Sequence, residues 1–551
     1  MDYPVSKGQK LEAEVIRWAD AGKGVAQIGG LNVFVDQAMP GERVEMEIID
    51  TQPRYALART VRVLTPSPDR IAPPCPVYDR CGGCCMQHMK YDAHLRALEN
   101  QVSGLLHRVG GYAEGEYEFL PIQGMERPWQ MRNKAVYRAG GTAKQPYLGF
   151  VGRGTHEVIP AADCLLQTEE AHMAARTVQN WMAEYAVAPY DERSRRGVLR
   201  HLIVRTGKKG ETMVVPVTAG AQLPHAKELV DALQKALPGL RSVVQNVNSR
   251  ATQEILGRQC VTLWGEDRLE DELLGLTFRL SPLSFYQVNP MQTERLYRQA
   301  IDFAALTGGE TVADAYCGAG TIGLSLARRA RRVVGIEIVE PAVRDAKENA
   351  RRNGVTNAEF YAGPCEKLLP QLASKGLKFD AVVLDPPRKG CDEAVLRAVA
   401  QTNPARIVYV SCNPATLARD VARLRKLGYV LRKARPFDMF SWTGEVETVV
   451  LLGRKMVEDK NIEYEYVDYE PKDNEYMRNT KGSATYAEIK SWIKEQYNVS
   501  VSNLYIAQVK DSCGFEKREN YNTGAEGHKV PQCPDEKREL IMEAFKHFRM
   551  I

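Results

Sequence analysis

The chain has 551 residues, too many for a single hydrophobic core, and its length predicts three or four domains. No run of about 18 apolar residues could span a bilayer, which excludes a transmembrane protein. The first residues contain no apolar signal-peptide core, so we expect a cytoplasmic protein with no membrane partner. The twelve cysteines are then expected to be thiols or metal ligands rather than disulfides.

The net charge of +5 is unevenly distributed along the chain. Residues 457–475 contain eight acidic residues and two lysines, a net charge of −6, so that the remaining residues carry +11. A basic body weakly favours a polyanionic partner. Basic clusters at 131–134 and 193–201 lie near predicted strands, where they either contact nucleic-acid phosphates or form a solvated face.

Residues 1–64 contain five short runs of alternating apolar and polar residues, separated by glycine turns. This pattern predicts five strands and a small β-barrel of the OB type. The proline-rich stretch that follows, 65–74, predicts a stiff linker. We therefore place one domain at 1–64 and a second, of mixed α and β structure, at 65–265.

Three cysteines follow the linker at the spacing Cys-x5-Cys-x2-Cys, namely Cys75, Cys81 and Cys84. The two glycines between the last two allow a sharp turn, so the three thiolates can surround one point. This spacing indicates a metal site. The fourth ligand must come from elsewhere, and we choose Cys164, the first cysteine after the cluster, with Cys85 as the alternative. The spacing leaves zinc and an iron–sulfur cluster both open.

From about residue 266 strands and helices alternate, which predicts a parallel sheet. Strand 311–315 is followed by a glycine turn at 316–320 and a helix at 321–330, and strand 332–337 ends in Glu337. An acid there can accept hydrogen bonds from a ribose, as in dinucleotide-binding folds. The pattern therefore favours a ligand with a ribose, and we expect S-adenosylmethionine.

Two more strands of this sheet end in residues that could carry chemistry. Strand 380–385 ends in Asp385, and the two prolines after it hold the carboxylate rigidly. Strand 407–410 runs into Ser-Cys-Asn-Pro, which places the thiol of Cys412 at a strand end. Ligands bind at the carboxyl ends of strands in open α/β sheets, although a cysteine there is more often a small buried hydrophobe.

Together these motifs resemble those of the RNA uracil-C5 methyltransferases, and specifically the branch with a TRAM domain and an iron–sulfur cluster that modifies 23S rRNA. The resemblance covers residues 1–454 in the family's order. The matching motifs are the N-terminal barrel, Cys75, Cys81 and Cys84 with Cys164, Ser284-Phe-Tyr-Gln287-Val-Asn289, Asp314-Ala-Tyr316-Cys-Gly-Ala-Gly320, Glu337, Asp385-Pro-Pro-Arg388, Ser411-Cys412-Asn413-Pro414, and Asp438-Met-Phe440 leading to Glu447-Thr448.

The resemblance implies a class I, Rossmann-like α/β methyltransferase domain at 266–454, with Cys412 as the nucleophile and Glu447 as the general base. Positions implied to bind S-adenosylmethionine are Gln287, Tyr316, Thr321, Glu337 and Asp385. The ligand set implied for a [4Fe–4S] cluster, in place of zinc, is Cys75, Cys81, Cys84 and Cys164. The implied substrate is a uridine in a single-stranded loop of 23S rRNA, methylated by a monomeric enzyme.

Two stretches depart from the family pattern. Pro364 stands where members often carry an acid, and Ser441-Trp-Thr-Gly-Glu445 replaces Pro-His-Thr-x-His before the base. Glu445 is therefore a rival base, and we prefer Glu447 because it matches in register with Thr448.

Three other interpretations remain. An amino-methyltransferase carries an aromatic residue after Asp-Pro-Pro and needs no cysteine, so Arg388 and Cys412 count against it. The other two are a catalytically silent RNA-binding or ribosome-assembly factor, and the tRNA-directed relative, which typically lacks the barrel and the cluster.

Residues 455–551 lie outside the resemblance. The first part, 455–480, is acidic and predicts a linker. Helical spacing then predicts three short helices, at 483–497, 504–512 and 535–548. They form either a helix-turn-helix-like module for RNA or protein contact, or a packing appendage without a role of its own.

Overall fold

The computed structural model describes residues 4–19, 22–250, 254–455, 486–512 and 533–548. The chain divides into two compact units. The first comprises Met1–Ala19, Lys23–Ser67 and Glu470–Ile551, and the second Asp20–Gly22 and Pro68–Tyr469. Within the described ranges, no helix combines the length and the apolar character needed to cross a membrane.

The first unit contains a closed five-stranded barrel. Its strands are β1 (Lys10–Trp18), β2 (Gly24–Ile28), β3 (Leu31–Asp36), β4 (Arg43–Gln52) and β5 (Tyr55–Thr65), in the order β1-β2-β3-β5-β4. Alternate residues point inward, and Val15, Val33 and Met46 are fully buried in the barrel core. The barrel predicted from the alternating pattern is confirmed, since closure buries one face of every strand.

The second unit begins with a long helix and a seven-stranded mixed sheet. Its elements are α1 (Tyr91–Arg108), β6 (Glu118–Phe119), β7 (Lys134–Gly141), β8 (Pro146–Val151), β9 (Val158–Pro160), α2 (Glu169–Glu184), β10 (Leu199–Thr206), β11 (Thr212–Thr218), α3 (Ala226–Ala236), β12 (Leu240–Val247) and β13 (Gln259–Gly265). The sheet order is β13-β12-β11-β10-β7-β8-β9, with α2 and α3 packed on one hydrophobic cluster. Only the β11–β12 pair is parallel among these described strands.

The remainder of the second unit alternates strand and helix. Its elements are β14 (Leu269–Leu273), β15 (Leu276–Leu280), α4 (Pro290–Ala304), β16 (Thr311–Ala315), α5 (Thr321–Ala327), β17 (Arg332–Glu337), α6 (Glu340–Arg352), β18 (Ala358–Ala362), α7 (Cys365–Ser374), β19 (Ala381–Leu384), α8 (Glu393–Gln401), β20 (Arg406–Ser411), α9 (Pro414–Lys426), β21 (Tyr429–Phe437) and β22 (Glu447–Arg454). The predicted strands at 311–315 and 332–337 are confirmed, whereas α5 ends three residues before the predicted 330.

These strands form an eight-stranded sheet of order β18-β17-β16-β19-β20-β22-β21-β6. The strands from β18 to β20 are parallel, as the alternation predicts, and β22 is antiparallel between β20 and β21. The chain winds outward from β16 to β18 and then returns to the other side at β19. This reversal opens a crevice at the carboxyl ends of β16 and β19, where α/β sheets bind ligands.

Helices cover both faces of this sheet, which explains why its strands are apolar almost throughout. All residues of β16 and β19 are buried. One hydrophobic cluster lies under α1, α7, α8 and α9, and a second lies under α4, α5 and α6. Side chains that contact a ligand can therefore project only from strand ends and loops.

The described chain ends with three helices, α10 (Tyr486–Tyr497), α11 (Asn503–Ser512) and α12 (Asp535–His547). Ile489, Ile506 and Phe545 are fully buried in a core that the three helices share. The three predicted helices are thus confirmed. The predicted acidic linker falls almost wholly at 456–485, which lies outside the described residues.

Candidate active site

Cys412 immediately follows β20, in a turn fixed by its neighbours. The hydroxyl of Ser411 donates to the carbonyl of Asn413 at 3.0 Å. The side-chain oxygen of Asn413 accepts the backbone N–H of Ala415 at 3.0 Å and so caps α9. The Cys412 side chain is half-buried. The thiol therefore lies at the carboxyl edge of the sheet, as the sequence predicts.

The loop after β19 is joined to the Cys412 turn. Asp385 directly follows β19, the parallel neighbour of β20. The carbonyl of Arg388 accepts hydrogen bonds from the Asn413 amide and the Thr416 hydroxyl, each at 3.2 Å. These bonds hold the two loops side by side, so the Asp385 carboxyl and the Cys412 thiol share one crevice.

Glu447 is the first residue of β22, which runs antiparallel to β20 with Thr448 opposite Ser411. This register places Glu447 next to Cys412 across two neighbouring strands. Its side chain is buried, only 3% exposed. Glu445, the rival base, lies instead at the surface in a salt bridge with Arg388.

Burial and mutual repulsion govern the protonation of these groups. Burial raises the pKa of Glu447 to about 8, and the nearby Asp385 adds to the shift. Burial also raises the pKa of Asp385 to about 7. The pKa of Cys412 is raised to about 12 by burial, then by Glu447 and Asp385, while Arg388 opposes the shift. Strongly shifted, mutually acting groups in one crevice are typical of an active site.

The predicted glycine turn lies beside this crevice. The backbone N–H groups of Tyr316 and Cys317 donate to the carbonyl of Ile336, at 2.9 and 3.1 Å. Gly318 adopts φ 54°, and a side-chain carbon placed there would meet no atom within 4 Å. The carboxylate of Glu337 accepts the N–H of Gly318 at 3.2 Å. The turn and the acid after it thus form one open cradle.

Asp314 is a residue that the predicted site did not include. It lies in β16, fully buried, and one carboxylate oxygen accepts the N–H of Gly323 at 2.8 Å. The other oxygen has no hydrogen-bond partner within the described ranges. Burial raises the pKa of this carboxyl to about 8, with Asp385 contributing. Its sequence signal was an acid inside an otherwise apolar buried strand.

The remaining predicted cofactor positions differ in what they can offer. The Tyr316 side chain packs toward the core beside Cys391, and burial raises the pKa of its phenol. The Thr321 hydroxyl lies 3.0 Å from that of Tyr297, in a shared hydrogen bond. Gln287 has a half-buried side chain, and its carbonyl accepts the amide of Asn133 at 3.1 Å.

The segment that carries Gln287 borders the same edge of the sheet. Asn289 caps α4, and its amide donates to the carbonyl of Met439 at 3.1 Å. Met439 lies two residues beyond the end of β21, which runs in the direction of β20. The structure therefore brings Gln287, Asp385, Cys412 and Glu447 to one edge.

The cysteines predicted to bind metal lie in one neighbourhood. Cys84 and Cys164 pack against a common cluster that includes Met125 and Trp442. Burial raises the pKa of Cys164 to about 11, and the nearby thiols of Cys75 and Cys81 add to the shift. Nevertheless, no group of three or more His, Cys, Asp or Glu side chains in the described parts of the chain is arranged to hold a metal ion. Four thiols that repel one another as thiolates need a cation to draw them together.

The cysteine-rich segment contacts the loop that precedes the predicted base. The backbone N–H groups of Cys85 and Met86 donate to the carbonyl of Trp442, at 2.9 and 3.0 Å. Trp442 has φ 67° and stacks on Trp129, with ring centroids 4.8 Å apart. Cys85 is thus engaged through its backbone with this loop.

The two basic clusters have different environments. In the cluster at 131–134, Lys134 of β7 lies opposite Arg205 of the neighbouring strand β10. Burial lowers the pKa of Lys134 to about 8, and the positive charges of Arg205 and Arg132 add to this shift. In the second, residues 191–197 are exposed, whereas Arg200 is buried and donates to the carbonyl of Asn248 at 2.9 Å. The cluster at 131–134 is therefore not a solvated face, which was one of the two interpretations of the basic clusters.

A cavity of about 600 Å³ lies at the opposite edge of the main sheet. It is lined by the first residues of β16 and β17, Thr311 and Arg332, together with Lys378 and Gly376. Since parallel strands bind ligands at their carboxyl ends, this cavity takes no part in the chemistry of the crevice.

A sheet that reverses beside a glycine turn, with an acid at the end of the next strand, occurs in nucleotide-binding α/β folds, among them that of the S-adenosylmethionine-dependent methyltransferases. The family model described as tRNA (Uracil-5-)-methyltransferase matches residues 225–455, and that of the TRAM domain matches residues 4–61. An uncharacterized RNA methyltransferase of Halalkalibacterium halodurans is 44% identical over 453 residues, 82% of this chain and 98% of that protein. One from Clostridium tetani is 42% identical over 452 residues, with the same shares covered.

Among solved structures, the tRNA (uracil-54, C5)-methyltransferase of Pyrococcus abyssi in complex with S-adenosyl-L-homocysteine is 26% identical, with a TM-score of 0.64. The match covers 80% of this chain and all of that one. The chain therefore belongs to the family of S-adenosylmethionine-dependent RNA uracil-5 methyltransferases and carries an N-terminal TRAM domain. Neither family model extends beyond residue 455, so the three terminal helices lie outside both.

Proposed function

We propose that this protein methylates C5 of a uridine in 23S rRNA, with Cys412 as the nucleophile and Glu447 as the general base. The observation that carries the proposal is the meeting of Cys412, Asp385 and Glu447 at one edge of the sheet. Asp385 and Glu447 both raise the pKa of Cys412, and Asp385 also raises that of Glu447, so the three lie close enough to act on the same bound base.

The chemistry follows from the low reactivity of uracil C5. Addition of the Cys412 sulfur to C6 forms an S–C6 bond and turns the ring into an enolate, which makes C5 nucleophilic. S-adenosylmethionine, when bound, supplies the methyl group that C5 takes up. The Glu447 carboxylate then removes the C5 proton, and the electrons of that C–H bond restore the C5–C6 double bond and expel the Cys412 thiolate.

The raised pKa values serve this sequence of events. At neutral pH the resting Cys412 is a protonated thiol, because burial and two neighbouring carboxyl groups disfavour its charge. A thiolate that forms as the base docks can pass its charge into the enolate. Glu447, with a pKa of about 8, is a stronger base once ionised than an ordinary carboxylate is.

The cradle at 316–320 supports S-adenosylmethionine as the methyl donor. One oxygen of Asp314 has no hydrogen-bond partner among the described residues, and the space above Gly318 is open; both features suit a polar ligand that approaches the backbone closely. Glu337 can accept hydrogen bonds from a ribose, as proposed from its place at a strand end. Gln287, Thr321 and Asp385 remain proposed contacts, and Tyr316 contributes its backbone, since its phenol faces the core.

We also propose that Cys75, Cys81, Cys84 and Cys164 hold a [4Fe–4S] cluster. The support is the chemistry of the donor set, four thiols in one neighbourhood. Anaerobic protein reconstituted with iron and sulfide should contain about four irons per chain and absorb visible light. Cys164→Ser should lose both signals, whereas the exposed Cys260→Ser should keep them. Stoichiometric zinc without sulfide would identify the site as a zinc site instead.

A stacked base cannot reach Cys412, so the target uridine must leave its stack, at a cost of a few kcal/mol. The TRAM barrel and the basic residues of the second unit would offset this cost by binding the RNA backbone. We propose a monomer acting on a single-stranded loop, where the cost is lowest.

A tRNA substrate is the second candidate, and the Pyrococcus abyssi relative favours it. That enzyme is described as acting on tRNA, and it matches 80% of this chain. The barrel favours 23S rRNA, since the tRNA-directed relative typically lacks it, whereas this match favours tRNA.

The deciding experiment compares RNAs from a strain that lacks the gene. Purified protein is incubated with labelled S-adenosylmethionine and either 23S rRNA or bulk tRNA of that strain. Transfer to 23S rRNA, recovered as 5-methyluridine, is the expected result. Label in tRNA alone would identify tRNA, rather than 23S rRNA, as the substrate. Label in neither RNA would refute the proposal. Cys412→Ser should transfer no label, and Cys260→Ser should behave as the wild type.

A further inference from the structure

A salt bridge at the rim of the crevice joins Arg388 to Glu445. The two side chains are 64% and 40% exposed, so solvent reaches both. Arg388 lies three residues after Asp385, and its carbonyl is bound to the cap of α9 that follows Cys412. The guanidinium is therefore presented by a loop that is fixed to the turn of the nucleophile.

The charges around Arg388 are mostly acidic. Glu445 pairs with it directly, and the buried carboxyl groups of Asp385 and Glu447 lie behind it in the crevice. The neighbouring Lys389 is exposed and pairs with Asp392 at 3.5 Å. Without the guanidinium, an incoming polyanion would meet the carboxyl groups of Glu445, Asp385 and Glu447 at this point of the rim.

A nucleotide that docks at Cys412 cannot avoid this rim. When uracil C6 lies against the Cys412 sulfur, the phosphates on either side of that uridine are within one nucleotide's length of the thiol. A phosphate there would be repelled by the Glu445 carboxylate and attracted by the Arg388 guanidinium. Guanidinium groups bind phosphate and carboxylate in the same two-pronged geometry. In the RNA-free protein, the Glu445 carboxylate thus occupies the position that suits a phosphate.

We propose that Arg388 binds a phosphate next to the target uridine, and that Glu445 holds the guanidinium until the RNA displaces it. The inference rests on the proposed function, because it takes Cys412 as the point where the base docks. An exposed ion pair contributes no more than about 1 kcal/mol, which corresponds to about fivefold in a binding constant. The exchange of carboxylate for phosphate is therefore easily driven by RNA binding.

The test is a double-mutant cycle on RNA affinity, with the unmodified transcript that the wild-type protein methylates as the probe. Glu445→Gln should tighten binding by up to about fivefold, because it removes the competing carboxylate. Arg388→Gln should weaken binding and lower the slope of log K against log salt by about 0.7. In the double variant, Glu445→Gln should have no further effect, since its competition acts only through Arg388.

Glu393→Gln is the matched control. It removes one carboxylate from another exposed pair of the same domain, with Arg397, at 52% and 64% exposure. It should leave RNA affinity unchanged, which separates a local effect at the rim from the general loss of a negative charge. Thermal unfolding of each variant should match the wild type, because all these side chains are at the surface.

Several results would overturn the inference while leaving methylation by the wild type intact. One is a Glu445→Gln variant that binds RNA as the wild type does, or that tightens binding equally in the Arg388→Gln background. Another is a change in affinity for S-adenosylhomocysteine rather than RNA, which would assign Arg388 to the cofactor carboxylate. A wild-type protein that binds the transcript but transfers no methyl group would instead refute the proposed function, and the inference with it.

Discussion

The protonation of Glu447 gives the sharpest test of the proposed mechanism. With a pKa of about 8, its carboxyl is ionised to roughly 1% at pH 6, 10% at pH 7 and 50% at pH 8. An ordinary glutamate would be ionised throughout this range. Removal of the C5 proton should therefore accelerate by about 50-fold between pH 6 and pH 8. The sign is fixed, because only the ionised carboxylate can accept the proton.

The assay is a single turnover with RNA tritiated at C5 of the target uridine. Release of tritium to water reports proton removal, and trapped methylated adduct on Cys412 reports the state just before it. The adduct should accumulate at pH 6 and be short-lived at pH 8. Glu447→Gln should accumulate it at every pH. Glu445→Gln should keep the rise of tritium release with pH, displaced towards lower pH because Glu445 adds to the raised pKa of Glu447.

Two outcomes would refute this reasoning. Tritium release that is equally fast at pH 6 and pH 8 would mean that the base has an ordinary pKa. Release from Glu447→Gln at the wild-type rate, together with loss of release in Glu445→Gln, would move the base to Glu445.

Three further predictions address the nucleophile, the stability and the cradle. Cys412→Ala should form no covalent adduct with RNA that contains 5-fluorouridine, whereas the wild-type adduct should run with reduced mobility on a denaturing gel. An adduct with the variant would exclude Cys412 as the nucleophile. Glu447 has a folded pKa above its ordinary 4.5, so its contribution to stability is complete below about pH 4.5 and lost as the pH rises through 8. In thermal unfolding, Glu447→Gln should accordingly be more stable than the wild type by roughly 3–5 kcal/mol at pH 9 and should match the wild type near pH 4.5. Equal stability of the two proteins at pH 9 would contradict the raised pKa. Gly320→Ala should weaken S-adenosylhomocysteine binding in calorimetry and cost about 1–2 kcal/mol of stability, because Gly320 has φ 83° and a side-chain carbon there would lie 3.2 Å from Phe360. Gly376 has φ 88° as well, but the space around it is open and it lies far from the cradle. Gly376→Ala should therefore affect stability alone.

Local patterns predicted much of the fold because they are read from consecutive residues. Alternation of period two marked the strands of the barrel, and apolar runs that end in a turn marked β16, β17 and β20. The thiol of Cys412 and the carboxylate of Glu337 were found for the same reason, since each stands directly after or at the end of such a run. A residue at the end of a strand in a parallel sheet can be assigned to the carboxyl edge of that sheet, even when its neighbours in space are unknown.

What the sequence left open was the order of strands and the contacts between distant segments. Glu447 lies beside Cys412 only because β22 inserts antiparallel between β20 and β21, and no periodicity specifies that insertion. Asp314 was passed over because a single acid in an apolar strand does not reveal which atoms surround it. The environment of Lys134 likewise depends on β10, whose Arg205 pairs with it some 70 residues further along the chain.

The different environments of Glu445 and Glu447 show how such distant contacts bear on the proposed choice of the base. The loop before β22 is held by Asp438, whose carboxylate accepts the hydroxyls of Tyr91 and Ser441, each at 2.5 Å. Burial opposes ionisation of Asp438, but His94 and these hydroxyls hold its pKa below the usual range. Tyr91 and His94 belong to α1, more than 340 residues earlier in the chain. Glu447, the proposed base, is therefore positioned by a helix at the start of the second unit. The anchored loop buries Glu447 and leaves Glu445 at the rim, which supports the proposed choice between them.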